Sequence, residues 1–119
     1  MLLPHSGPGR ITPAQARRAV EDGSALLADV REENEFGAGH APGATLWPLS
    51  RLARGAAPPG PDDGRGLVLI CRSGNRSQQA VRLLAERGVT AVDVIGGMVD
   101  WADQGLPVQD AHGAAGTVI

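Results

Sequence analysis

Cys71 is the only cysteine in the 119-residue chain, and it stands where an apolar run ends. Leu67-Val68-Leu69-Ile70 leads into it. Arg72-Ser73-Gly74-Asn75-Arg76 follows, and from Ser77 apolar residues return at helical spacing. The pattern predicts a buried strand, a tight loop and a helix opening at Ser77. Successive N–H groups of such a loop can point inward and form a nest for an anion. Ser77 is placed to cap the helix, whose amino end adds partial positive charge, and Arg72 and Arg76 add full charges. Each of these favours thiolate, the nucleophilic form, over thiol. The alternative is a structural cysteine that merely closes a strand, since cysteine is often buried. Its place between two arginines, ahead of a helix start, argues for reactivity.

A thiolate in an anion nest suits two chemistries: attack on the phosphorus of a phosphate ester, or attack on a sulfane sulfur to give a persulfide. Loop length separates them. Cysteine phosphatases place an arginine after five intervening residues. Here Arg76 follows Cys71 after four, and Ser77 stands where the phosphatase arginine would. The smaller ring favours the smaller target, a single sulfur atom, and disfavours a phosphatase or arsenate reductase.

The remaining composition narrows the class. A chain of this length buries roughly two-thirds of its unfolded surface, enough for one domain without staples. One cysteine excludes an internal disulfide, and with three histidines it argues against a structural zinc site. A lone thiol suits a reducing compartment. Residues 1–10 lack the pattern of a secretory signal and no run reaches the length of a membrane span, so the expected location is cytoplasmic. A net charge of −2 does not point to nucleic acid. All eleven basic residues are arginine, which fits a composition bias. Any side-chain cation that binds an anion here is therefore a planar guanidinium.

Short elements must position the loop. Thr12-Pro13-Ala14-Gln15 is a capping box with proline in the first turn; Ala16, Ala19 and Val20 share the face of the helix it opens, and Gly23 ends it. Ala25–Val30 is apolar enough for a strand buried on both sides. A short helix over 32–36, turns over 37–43, a strand over 44–47 and a brief helix over 49–54 follow. Gly55 to Gly66 is a breaker-rich surface loop. After the strand 67–70, the helix 77–86 places Val81, Leu84 and Ala85 on one side, with Gly88 as its stop. Residues 89–95 form a strand, Gly96-Gly97 a turn, and 98–103 a helix. The tail from Gln109 is expected to be loose. Apolar strands alternating with helices imply parallel crossovers and a layered α/β sandwich. In such sheets chemistry gathers at the carboxyl ends of strands, where Asp29 and Cys71 both lie.

Four segments in order resemble the single-domain rhodaneses: Asp29-Val30-Arg31; Glu35-Phe36-x-x-Gly39-His40-x-Pro42-Gly43-Ala44; the loop Cys71-Arg72-Ser73-Gly74-Asn75-Arg76-Ser77; and Gly96-Gly97-Met98 with Trp101 and Gly105-Leu106-Pro107-Val108. Ala41 departs from the larger aliphatic residue usual there. The resemblance implies one domain over 1–119, with a core of about 10–108 and a tail over 109–119. Its fold would be a three-layer α/β/α sandwich around a mainly parallel, roughly five-stranded sheet.

The resemblance also implies a thiosulfate sulfurtransferase. Cys71 would take the outer sulfur of thiosulfate or a similar donor, expel sulfite, and pass the persulfide sulfur to cyanide or a thiol. The backbone of residues 72–76 would hold the persulfide charge, with Arg72, Ser73, Gly74, Asn75, Arg76 and Ser77 forming the substrate-binding loop. Neither metal nor organic cofactor is implied. A second reading is a sulfur-carrier module that works with protein donors and acceptors; a non-catalytic binding module conflicts with the intact Cys71 loop. Arg31 and Glu35 are expected to pair at the corner after their strand, Asp29 to anchor nearby backbone, and His40, Trp47 and Trp101 to be structural.

Overall fold

The computed structural model describes residues 9–57 and 64–119. The expectations for residues 1–8 and for 58–63, within the 55–66 loop, lie outside them. The elements run β1 (Arg10–Ile11), α1 (Pro13–Glu21), β2 (Ala25–Asp29), α2 (Glu33–Ala38), β3 (Thr45–Leu46), α3 (Leu49–Ala53), β4 (Gly66–Ile70), α4 (Arg76–Glu86), β5 (Val92–Val94) and α5 (Gly97–Asp103). The strands form one five-stranded sheet in the order β1-β5-β4-β2-β3, and every pairing is parallel. The expected layered sandwich is therefore present.

Local chemistry starts α1 as the sequence predicts. Thr12 Oγ1 accepts the Gln15 N–H and Gln15 Oε1 accepts the Thr12 N–H, which closes the capping box. Alternation along β4 divides the core. Val68 and Ile70 face a cluster with Ile11, Ala16, Leu27, Met98 and Trp101, whereas Leu67 and Leu69 face one with Leu52, Cys71, Ala80 and Leu84. The first lies under α1 and α5, the second under α3 and α4. Full burial of each large aliphatic side chain contributes about 1.5–3 kcal/mol, so the central strands hold the three layers together.

Three differences bear on the site. Helix α4 opens at Arg76, not Ser77, and its buried row is Ser77, Ala80 and Leu84; Ala85 is exposed. The strand read over 89–95 is only Val92–Val94, because the Val89 N–H closes the preceding helix on the Leu84 carbonyl. The segment from Gln109 onward, expected to be loose, carries tertiary bonds. Gln109 exchanges backbone hydrogen bonds with His40, the Thr117 N–H reaches the Ala38 carbonyl, and Val118 packs on the core. Asp110 accepts the His112 and Ala114 N–H groups, which holds its carboxyl below the usual carboxylate range. Among the described residues no helix is long and apolar enough to cross a membrane.

Candidate active site

Strand β4 delivers Cys71 to the carboxyl edge of the sheet, and the loop of residues 71–76 folds back over it. Cys71 is 1% exposed, a burial that alone would suit a structural cysteine. Its polar contacts say more. The Gly74 N–H donates to Sγ at 3.0 Å, one inward-pointing amide of the expected nest. Gly74 has φ +98°, the left-handed region that favours glycine, and a Cβ there would lie 2.9 Å from Arg10 Nη2. Behind the loop, α5 engages the carbonyls: Met98 N–H bonds Cys71 O at 2.8 Å and Val99 N–H bonds Arg72 O at 2.9 Å. That approach requires Gly97, where a Cβ would stand 2.4 Å from Cys71 O.

The start of α4 is left electrostatically open. Asn75, at the N-cap position, makes no side-chain cap, and the first turn carries no acidic residue. The partial positive charge of the helix end therefore remains available beside the sulfur. Ser77, expected to cap, is buried and turned to the interior. Its hydroxyl donates to Asp93 Oδ2 at 2.6 Å, and the Cys71 thiol donates to Ser77 Oγ at 3.3 Å. Ser73 and Asn75 are exposed on the loop.

The arginines sort differently from the expected pairing. Arg31 does not pair with Glu35. Fully buried, it grips Asp29 through Nε (3.0 Å to Oδ1) and Nη2 (2.8 Å to Oδ2), and Nη2 also donates to Gly39 O at 2.7 Å. Asp29 Oδ1 also accepts the Arg31 N–H at 3.0 Å, the backbone anchoring expected of it. Glu35 instead takes Arg76 in a two-point grip, Nη1 to Oε1 at 2.7 Å and Nη2 to Oε2 at 2.8 Å. The partner changes because the fold brings Glu35 on α2 within reach of Arg76 at the start of α4, while Arg31 lies buried with Asp29. The Arg76 hydrogen bonds hold the Glu35 carboxyl down from 4.5 to about 2, and Glu35 in turn raises the pKa of Arg76. Arg72 is exposed, with Nε on the Ile119 carbonyl at 3.0 Å. Of the two loop arginines, Arg76 is thus clamped and Arg72 lies at the surface.

Sequence reasoning passed over two residues. Asp93 is 1% exposed on β5 and Arg10 comes from β1; Arg10 Nε bonds Asp93 Oδ1 at 2.9 Å and Nη2 bonds Oδ2 at 3.2 Å. A carboxylate inside the apolar run Val92-Asp93-Val94 was the available signal, because buried carboxylates need a partner. His40 is held as a structural clip: Nδ1 sits 2.7 Å from Phe36 O, and the ring stacks on Phe36 at 3.8 Å. Trp101 is buried and donates to Pro107 O at 2.8 Å. Among the described residues no group of three or more histidine, cysteine or carboxylate side chains could hold a metal ion.

The model of the rhodanese-like domain matches residues 12–104. A thiosulfate sulfurtransferase GlpE from Actinobacillus succinogenes is 33% identical over 104 residues, covering 87% of this chain and 92% of the relative. The solved structure of the human single-domain sulfurtransferase TSTD1 superposes with a TM-score of 0.70 at 29% identity, covering 82% of this chain and 98% of that one. An adenylyltransferase and sulfurtransferase MOCS3-1 of Zea mays is 38% identical over 117 residues, which span 90% of this chain and 25% of the maize protein. Several other curated relatives are also longer, and the match spans 24% to 54% of their length. With its parallel sheet, its Cys71 loop and these relatives, the chain belongs to the rhodanese-like sulfurtransferase family.

Proposed function

We propose that the protein moves a sulfane sulfur from thiosulfate or a similar anionic donor to a thiophilic acceptor, with Cys71 as nucleophile. The observation that carries this reading is the sulfur at the carboxyl end of β4, hydrogen-bonded by the Gly74 amide beside the uncapped start of α4. The Cys71 thiolate attacks the outer sulfur of thiosulfate. A new S–S bond forms, the old one breaks, and its electron pair leaves with sulfite. The persulfide anion then gives its outer sulfur to cyanide or to a thiol, and the electron pair of the cleaved bond returns to Cys71 as thiolate. This is covalent catalysis in two steps with no partner base required. The loop from Arg72 to Ser77 cradles the anions, its amides acting on sulfur as an oxyanion hole acts on oxygen. A thiol that must stay reduced between turnovers fits the cytoplasm.

A second reading is a sulfur carrier that takes its persulfide from one protein and passes it to another. It is favoured by the maize relative, in which the matching segment is a quarter of a larger adenylyltransferase and sulfurtransferase. Intact mass spectrometry after thiosulfate treatment tests the primary reading. One added sulfur, removed by cyanide and absent in Cys71→Ser, is expected. No added sulfur on the wild type with thiosulfate, but loading from a protein persulfide donor, would favour the carrier. Sulfur retained by Cys71→Ser would remove Cys71 from the chemistry.

A further inference from the structure

Gly74 is buried within the loop after β4, and both polar groups of its backbone are engaged. Its N–H donates to Cys71 Sγ at 3.0 Å. Its carbonyl accepts Gln78 Nε2 at 2.6 Å, with Arg10 Nη2 further off at 3.4 Å. The backbone ladder of α4 begins one residue later, with the Gln79 N–H on the Asn75 carbonyl at 3.2 Å. The Gly74 carbonyl is thus left to side chains, and the short bond is the one from Gln78.

Such a restraint matters most at glycine. With φ +98° and no Cβ, Gly74 is the residue type that resists backbone rotation least. The Gly96 backbone closes in on one side, where a Cβ on Gly74 would lie 3.3 Å from Gly96 N. That contact limits where Gly74 sits and leaves the tilt of its two peptide planes to hydrogen bonds. Gln78 is half-buried in the first turn of α4. It lines a cavity of about 140 Å³ together with Arg10, Val81, Arg82 and Asp93, and Cys71 is not among the lining residues. Gln78 therefore acts on the loop without touching the sulfur.

We propose that Gln78 is a positioning residue: by gripping the Gly74 carbonyl it keeps the Gly74 amide on the Cys71 sulfur. With Cys71 as the nucleophile proposed above, the benefit falls on one half of the reaction. In loading, charge leaves Sγ and departs with sulfite, so a donor on Sγ steadies only the starting state. In discharge, the acceptor takes the outer sulfur, the S–S bond breaks, and its electron pair arrives on Sγ. A donor already held there stabilises that charge as it forms. Gln78 thus serves the release of sulfur more than its capture.

The adjacent glutamine supplies the control, because Gln79 is exposed on the same turn. The variants are Gln78→Met, which keeps the length and drops the donor, Gln78→Ala and Gln79→Ala. Two measurements are made on each: solvent exchange and proton shift of the Gly74 amide by NMR, and single-turnover loading from thiosulfate and discharge to cyanide. Both Gln78 variants should speed Gly74 exchange and slow discharge about five- to tenfold, as for one hydrogen bond of ordinary strength. Loading at saturating thiosulfate should not slow, and the Gly74 proton should move upfield as its bond to sulfur loosens. Gln79→Ala should change none of these. A Gly74 amide unmoved in Gln78→Met would overturn the proposal, since Arg10 and Gly96 would then suffice. Equal slowing of loading and discharge would also overturn it, as the mark of a direct contact between Gln78 and the donor. A wild type that takes up no sulfur would sink the sulfurtransferase reading alone, because the Gly74 amide still reports whether Gln78 positions it.

Discussion

Strands β2 and β4 are paired up to their last residues, Asp29 opposite Ile70, and each is followed by an arginine-bearing corner. After β2 the polar groups turn on one another. Asp29 and Arg31 are both fully buried, and Gly39 O takes a further guanidinium hydrogen. Among the described residues, Arg31 Nη1 is the buried side-chain polar atom that lacks a partner. After β4 the polar groups face a sulfur and the surface: Gly74 N–H on Sγ, an uncapped helix start and an exposed Arg72. The same edge of the same sheet thus carries a corner whose charges are paired with each other in the interior and a loop whose charges lie towards the surface, Arg76 on Glu35 and Arg72 exposed. In the first, arginine works as structure. In the second it stays partly or fully exposed on the loop that carries Cys71.

Removing one partner at each corner separates the two uses. Asp29→Ala should have the largest effect, because it leaves the Arg31 charge buried without its counter-ion. A loss of about 3–5 kcal/mol, or outright failure to fold, is expected in urea unfolding. A loss under 1 kcal/mol would place that corner in the same class as the surface pairs. Its effect on sulfur loading per folded molecule should be slight.

The Glu35–Arg76 grip lies between these extremes, with side chains 15% and 34% exposed. Since the Glu35 carboxyl is held down to about 2 in the folded protein, the pair stabilises the fold fully above about pH 4.5. That contribution is lost as pH falls from there towards 2. After screening by solvent, Glu35→Gln should cost about 1 kcal/mol at pH 7. It should also flatten the acid limb of the stability curve in that window. A series of urea midpoints from pH 7 to pH 2.5 checks both; an acid limb as steep as the wild type's would assign the window to other carboxylates.

Arg72→Ala should be the mildest. An exposed cation contributes on the order of 1 kcal/mol to attracting a dianion, so sulfur loading from thiosulfate should slow about fivefold in dilute buffer. The gap should close as salt is added. A difference that survives high salt would mean a direct, desolvated contact with the donor.

What could be read ahead of the structure was what depends on neighbours in sequence. The Thr12–Gln15 box spans three residues and needs nothing else. The strand before Cys71 and the helix after it are likewise local, and so is the bond of Asp29 to the Arg31 N–H. The pairing of Glu35 was legible only as a charge needing a partner. Arg31 was the near candidate, yet Arg76, 41 residues on, is brought alongside by the fold. Ser77 looked like a cap because serine at a helix start usually is one. Its actual partner, Asp93, comes from a different strand and was hidden in an apolar run. The bonds of residues 109–119 were invisible for the same reason: small polar residues carry no hydrophobic pattern, and it is backbone contact with Ala38, Gly39 and His40 that ties them down.

The placement of Ile119 has a practical consequence for reach. Its carbonyl oxygen accepts from Arg72 Nε, so any chain joined after it begins one side chain away from the loop that carries Cys71. A partner tethered at that point, whether a fused sulfur-accepting domain or an affinity tag, would be presented to the loop at high effective concentration by even a short linker. Fusing a cargo there would turn an encounter between two molecules into an internal one, or would block the doorway, depending on what is attached.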